Sequence, residues 1–173
     1  GWLAKVIREI DPNGDNPVTA VNFGRGLPRA LAAPGVTATS VGDLDNYGLM
    51  SGIEVQEERD RDLQIFQRMY TPALGSGMVM NYLGQTGQNV LVGAEILAEA
   101  PSRYMSKVEY ADNPIAISLR DVARVHTADL GTRIFYTNHL GYDHHAQEVP
   151  THAKLLTELS DAIEDFMQDL RDH

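Results

Sequence analysis

Residues 131–145 read GTRIFYTNHLGYDHH. Ile134-Phe135-Tyr136-Thr137 joins β-branched and aromatic residues over the length of a short strand. A polar loop follows and ends on Asp143-His144-His145. A long amphipathic pattern then runs from about Thr151 to Leu170, with Leu155, Leu156, Leu159, Ala162, Ile163, Phe166, Met167 and Leu170 as its apolar stripe. Its acidic residues Glu158, Asp161, Glu164, Asp165 and Asp169 are expected mostly to face outward. Strand, polar loop and helix form the unit from which an open α/β sheet builds a ligand site at the carboxyl end of a strand. The fold expected from this stretch is α/β, a sheet flanked by helices.

Upstream, Pro114 suits the first turn of a helix with Asn113 as its cap. Ile115, Leu119, Val122, Ala123 and Val125 form its inner face, and Gly131 is expected to close it as a left-handed C′ glycine. Two more strand candidates lie near the amino end, Pro17 to Phe23 (PVTAVNF) and Val36 to Val41 (VTATSV). Between them, Leu27 to Ala33 suggests one helical turn. The first residues predict a helix with Trp2, Leu3, Val6, Ile7 and Ile10 on one face, stopped by Asp11-Pro12-Asn13-Gly14. Glu54 to Tyr70 predicts a charged helix with Val55, Leu63, Phe66 and Met69 inward and a salt-bridged outer face.

Ser76 to Glu99 predicts another helix, ended by Pro101-Ser102. Its expected apolar stripe is Met78, Val79, Tyr82, Leu83, Val90, Ala94 and Leu97. Gly84 and Gly87 in its middle point to a kink or a close helix contact, and its methionines suit core filling better than a cofactor box. Three strands beside four or five helices make a thin sheet. Residues 1–173 are therefore expected to be one domain, helix-rich and partial, with further strands outside the chain.

Composition narrows the function. The chain has 173 residues, a formal net charge of −10, 43% hydrophobic residues and no cysteine. The acidity argues against nucleic acid, which needs a basic face, and against an anionic membrane surface. Lack of cysteine excludes thiolate metal sites, disulfides and a cysteine nucleophile. No apolar run is long enough for a membrane-spanning helix, so no membrane insertion is expected.

The chemistry concentrates in the organising loop. In an extended loop, residues i and i+2 point the same way, so Asp143 and His145 would share one ion while His144 points away. Carboxylate with imidazole suits zinc, manganese or iron, and carboxylate alone suits magnesium or calcium. His139 and His152 flank the loop, and Gln147 is placed for a supporting role. The plainer alternative is a pair of exposed histidines with an aspartate that orients one of them. Two ligands make no complete catalytic site, which needs about three protein ligands and an open position.

Elsewhere the signals are weaker. Gly24-Arg25-Gly26 after the first strand would wrap a phosphate, but lacks a full glycine-rich fingerprint and reads better as a tight turn. Asp43 and Asp45 lack the turn glycine and closing glutamate of a calcium loop and read as solvated carboxylates. Gly75-Ser76-Gly77 is too short for a nucleophile elbow and lies between helices. Nothing selects two of the 24 acidic residues as a glycosidase pair.

The segment Leu130 to Leu170, with Gly141-Tyr142-Asp143-His144-His145 at its centre, resembles domain-of-unknown-function family 1501. There a strand is followed by Gly-(Phe/Trp)-Asp-Thr-His and a leucine-rich helix. Gly1-Trp2-Leu3 and NPVTAVNFGRGLPRAL fit its opening. His144 stands where the family has threonine. That family resembles the alkaline-phosphatase and sulfatase superfamily, whose parallel strands carry Asp and His ligands for a metal pair.

The resemblance implies a metal-dependent phosphate- or sulfate-ester hydrolase, with Asp143 and His145 as ligands of a divalent metal (zinc, manganese, magnesium or calcium) and a small-molecule ester as substrate. It also implies export. The family's later Ser-Glu-Phe-Gly-Arg and Asp-His-Gly segments do not occur here, so the chain is expected to be a central piece of a larger domain. The alternative function is a non-catalytic exported binding or structural protein on the same fold. An exposed sheet edge adds self-association as an expectation.

Overall fold

The computed structural model describes residues 1–48, 52–71, 77–143 and 148–173. Their elements, in chain order, are α1 (Trp2–Ile10), β1 (Ala20–Phe23), β2 (Thr39–Val41), α2 (Gln56–Tyr70), α3 (Met78–Ala98), α4 (Ala100–Arg103), α5 (Pro114–Thr127), β3 (Ile134–Thr137) and α6 (Glu148–Asp172). The fold is mixed α/β. The strands form one parallel sheet in the order β2-β1-β3.

β1 is central and every one of its residues is buried, as expected of a parallel strand covered on both faces. Val21 and Phe23 point to one face, where Val41, Leu97, Val122 and Val125 pack with Phe135 and Phe166. Ala20 points to the other, where Ile7 and Leu31 pack with Leu3, Val36, Ile134 and Tyr136. This second face is closed by α1, which is fastened to the connection between β1 and β2: the Gly1 amine donates to the Ala32 carbonyl, Ala4 N–H to Ala30 O at 3.1 Å, and Arg8 Nη2 to Pro34 O at 3.2 Å. A third cluster of Ile115, Ala116 and Ala162 joins α5 to α6.

Two predicted features are met closely. β3 has the predicted bounds, and α5 starts at Pro114 with the Asn113 side chain accepting from Ala116 N–H at 3.0 Å. α3 ends at Ala98, ahead of Pro101 as expected, and Pro101 then lies in the first turn of the short α4, where a proline is tolerated. Three others are corrected. Residues 27–33 form turns rather than a helix, with Leu31 N–H donating to Pro28 O at 2.9 Å. Gly131 is not the C′ residue of α5: the left-handed residue after that helix is Asp129 at φ 51°, and Gly131, at φ 79°, serves the next turn into β3. The expected inner faces of α1 and α2 are only partly inward. Trp2, Val6 and Ile10 are exposed beside the buried Ile7, and α2 has no buried residue, with Val55 and Met69 exposed.

α3 departs in the same way at its first half. Met78, Val79, Tyr82 and Leu83 are exposed, while Leu97 is fully buried. Gly87 explains the contact with α2, since a Cβ there would fall 2.5 Å from a ring carbon of Tyr70. The predicted close helix contact is thus at Gly87.

Gly131 yields a stability prediction. A side chain there meets both a positive φ and the Asn16 amide 2.7 Å away, which otherwise donates to Leu130 O at 3.1 Å. Gly131→Ala is expected to lose about 1–2 kcal/mol, the cost of a left-handed non-glycine residue. Urea unfolding would check it, and an unchanged midpoint would contradict it.

Candidate functional site

Because the strands are parallel, their carboxyl ends share one edge. The register pairs Phe23 with Val41 and with Thr137, so Gly24, Gly42 and Asn138 each begin a loop at that edge. β1 sits where the strand order turns, and the boundary between its loop and that of β3 is the place where open α/β sheets form a crevice. The two loops are adjacent there. A side chain on Gly24 would lie 3.7 Å from Asn138 Oδ1.

Asn22 builds the first loop from beneath. It is buried in β1, and its Nδ2 donates to Gly26 O at 2.8 Å and Gly24 O at 3.2 Å. Ser40 on β2 donates to the same Gly26 carbonyl at 2.8 Å. Gly24 N–H extends the β1–β2 pairing by one bond, to Val41 O at 2.7 Å. Gly24-Arg25-Gly26 is therefore a tight turn, as expected, with exposed Arg25 at its tip. Asn22→Ala should cost about 1–3 kcal/mol, because it removes the donor shared by two loop carbonyls. Thermal unfolding would measure the loss, and a variant as stable as the parent would show the turn to be held without it.

Asp43 and Asp45 lie in the loop after β2, and both are engaged rather than simply solvated. Asp43 accepts from the Asn46 side chain at 2.8 Å and from the backbone N–H groups of Asp45 and Asn46 at 3.0 and 3.3 Å. The Asn46 amide first, then those backbone bonds and the Arg120 charge, overcome burial and hold its carboxyl below the ordinary 3.8. Asp45 pairs with Arg124 at 2.7 Å and Arg120 at 3.5 Å. Both arginines also reach buried Asp121, whose pKa burial pushes up against their opposing pull. This cluster ties the β2 loop to α5.

In the organising loop, His139 Nδ1 lies 2.9 Å from the Tyr142 hydroxyl, and the Tyr142 ring meets His152 edge-on at 5.7 Å between centroids. Tyr142 therefore stands between the two histidines flanking the loop. Asp143 is exposed. His144, His145 and Gln147 lie outside the described residues, as do Gly75 and Ser76. Asp143 offers a carboxylate, and the imidazoles next to it in sequence belong to residues outside those described. Among the described residues no three His, Cys, Asp or Glu side chains converge to hold a metal ion.

A second constellation was not anticipated. Asp169 on α6 was expected to face outward, yet it is 0% exposed. Its carboxylate accepts from Tyr104 Oη and Ser106 Oγ at 2.5 Å each and from Tyr110 Oη at 2.8 Å. Burial alone would raise its pKa. The hydroxyls of Ser106, Tyr104 and Tyr110, with His173 nearby, outweigh that and hold it below 3.8. Burial and the same carboxylate push Tyr104 up to about 12 and raise Tyr110 as well. Ser106 spends its proton on Asp169 and accepts from Val108 N–H at 3.0 Å, so it is a strut and not a nucleophile. The readable signal was spacing: Asp169 falls three residues after Phe166 and seven after Ala162, on the inward stripe itself.

No protein-family model, curated protein or solved structure matches this chain.

Proposed function

We propose that residues 1–173 are the central part of a metal-dependent phosphate- or sulfate-ester hydrolase of alkaline-phosphatase type. Asp143 and His145 would hold the divalent ion. The observation that supports this is the parallel sheet, which gathers the loops at 24–26, 42–46 and 138–143 on one carboxyl edge. When bound, the ion would polarise an ester oxygen and stabilise charge in an in-line displacement. Arg25 at the tip of the neighbouring turn would draw an anionic ester toward that edge. Asn22 and Ser40 would keep the turn fixed, so that this charge is presented without rearrangement.

One observation favours a second reading, a non-catalytic binding protein on the same fold. Asp43 and Asp45, the described carboxylates in the loop after β2, are already taken by Asn46, Arg120 and Arg124. The experiment uses the complete gene product that carries this chain. It is stripped with a chelator and reloaded singly with zinc, manganese, magnesium or calcium, then assayed on aryl phosphates and aryl sulfates. Metal-dependent turnover supports the hydrolase. No turnover, with metal bound at most in a structural role, supports the binding protein and ends the hydrolase reading.

Among the described residues β3 is paired on one side only, and no described helix is long and apolar enough to cross a membrane. The one-sided strand keeps self-association as a proposal. Sedimentation velocity should show larger species as concentration rises, and a single monomeric boundary throughout would refute it.

A further inference from the structure

His173 follows α6, and its ring stacks on Tyr104 with the planes 7° apart and the centroids 5.6 Å apart. Its Nδ1 lies 2.9 Å from the Asp169 carbonyl oxygen, and its Nε2 lies 2.8 Å from the Met105 carbonyl oxygen. A carbonyl oxygen only accepts, and a neutral imidazole has one N–H to give. The second contact would then set one lone pair against another. Only the imidazolium makes both bonds at once.

The surroundings favour that cation. From its own helix, the Asp169 carboxylate stands 3.5 Å from Nδ1, and Asp172 adds negative charge. The carbonyl end of a helix also attracts a cation. From the 104–110 segment the titratable neighbours are Tyr104 and Tyr110, both neutral well beyond pH 9 because burial raises them. From α5 come Arg124, 5.8 Å from the centre of the Tyr104 ring, and His126. His126 shares with Thr127, Leu170 and His173 a cleft of about 240 Å³.

We propose that His173 is a protonation-dependent latch. As the imidazolium it ties the end of α6 to the segment holding Tyr104 and Ser106. On losing its proton it releases one of the two carbonyls and frees the cleft it walls. The bond to the Asp169 carbonyl, then the Met105 carbonyl and the charges of Asp169 and Asp172, raise its pKa above 6.5 despite partial burial. A raised histidine pKa means that the latch is fully closed below 6.5 and is lost as pH rises through the higher folded value.

The test is an imidazole ¹H–¹⁵N titration of the complete gene product that carries this chain, from about pH 5 to about pH 9, the range over which histidine changes charge. The His173→Gln variant identifies the His173 signal by its absence. Both His173 nitrogens should carry imidazolium shifts in acid, with a midpoint above 6.5. Amide exchange at Leu170 and Arg171, corrected for its intrinsic pH dependence, should rise about tenfold across that midpoint. The exchange step should vanish in His173→Gln. A midpoint at or below 6.5, a neutral tautomer in acid, or a step that survives in His173→Gln overturns the latch. The titration is read on the unsubstituted protein, so an unstable variant would not rescue the idea.

Discussion

Asp169→Ala is expected to destabilise the protein by about 3–5 kcal/mol, the cost of breaking a buried charged network by removing one partner. For a chain of this size that is a fall in Tm of roughly 10–15 °C. The carboxylate is fully buried and is the common acceptor of three hydroxyls. Alanine leaves those three donors facing a void, so the loss combines an empty volume with unsatisfied polar groups. Single removals should be milder. Tyr104→Phe, Ser106→Ala and Tyr110→Phe each delete one donor from a carboxylate that keeps two, and each should cost about 1 kcal/mol. If Asp169→Ala is no worse than Tyr110→Phe, the carboxylate is not the hub.

The pH dependence follows from the direction of the shift. Asp169 is held below 3.8, so its contribution is complete above that pH. It is lost as pH falls through the lower folded value. The part of the gap between the parent and Asp169→Ala that belongs to this carboxyl should therefore close only in strong acid, while the part that it lends to His173 should shrink as pH rises above 6.5. A gap that closes around pH 6 would place the dependence on another group.

The same residue shows where sequence reading stops. Helical spacing puts position 169 on the inward stripe of α6, while the identity of an aspartate argues for the outside. The partners that resolve this lie 59 to 65 residues earlier in an irregular segment, where nothing local announces them. Features governed by adjacent residues were legible. Asn113-Pro114 begins α5 because cap and first turn are neighbours, and Ile134 to Thr137 is a strand because its flanks are polar or glycine. Features that depend on what an element meets were not. Periodicity identifies an apolar face on α3, but Met78 and Val79 are exposed while Leu97 is enclosed by the sheet side of the core. Gly131 drew attention as a helix terminator, and Asp129 took the left-handed conformation two residues earlier. At the carboxyl edge, the packing of Asn22 under the β1 turn was not legible either, because its carbonyl partners are fixed by the turn and not by spacing.

Asp143→Ala should remove metal and activity while leaving the fold intact. Asp143 is exposed in the loop after β3, away from the buried clusters, so truncation there opens no cavity. Its cost to stability should therefore stay well below that of a core truncation. If Asp143 is a direct ligand, its loss should exceed that of an outer partner. Metal affinity should then fall by about a hundredfold or more, with ester turnover falling in step.

Asp43→Ala serves as the contrast. Its carboxylate braces its own loop through Asn46, so that variant should lose some stability and keep its metal. Metal content by elemental analysis, read beside the unfolding midpoint, separates the two roles. Retained metal and turnover in Asp143→Ala would remove the hydrolase reading, because no other described carboxylate in that loop could replace it. Loss of metal with an unchanged midpoint would assign the carboxyl end of β3 a ligand, and would make the loop from Asn138 to Asp143 the first place to seek a bound ester.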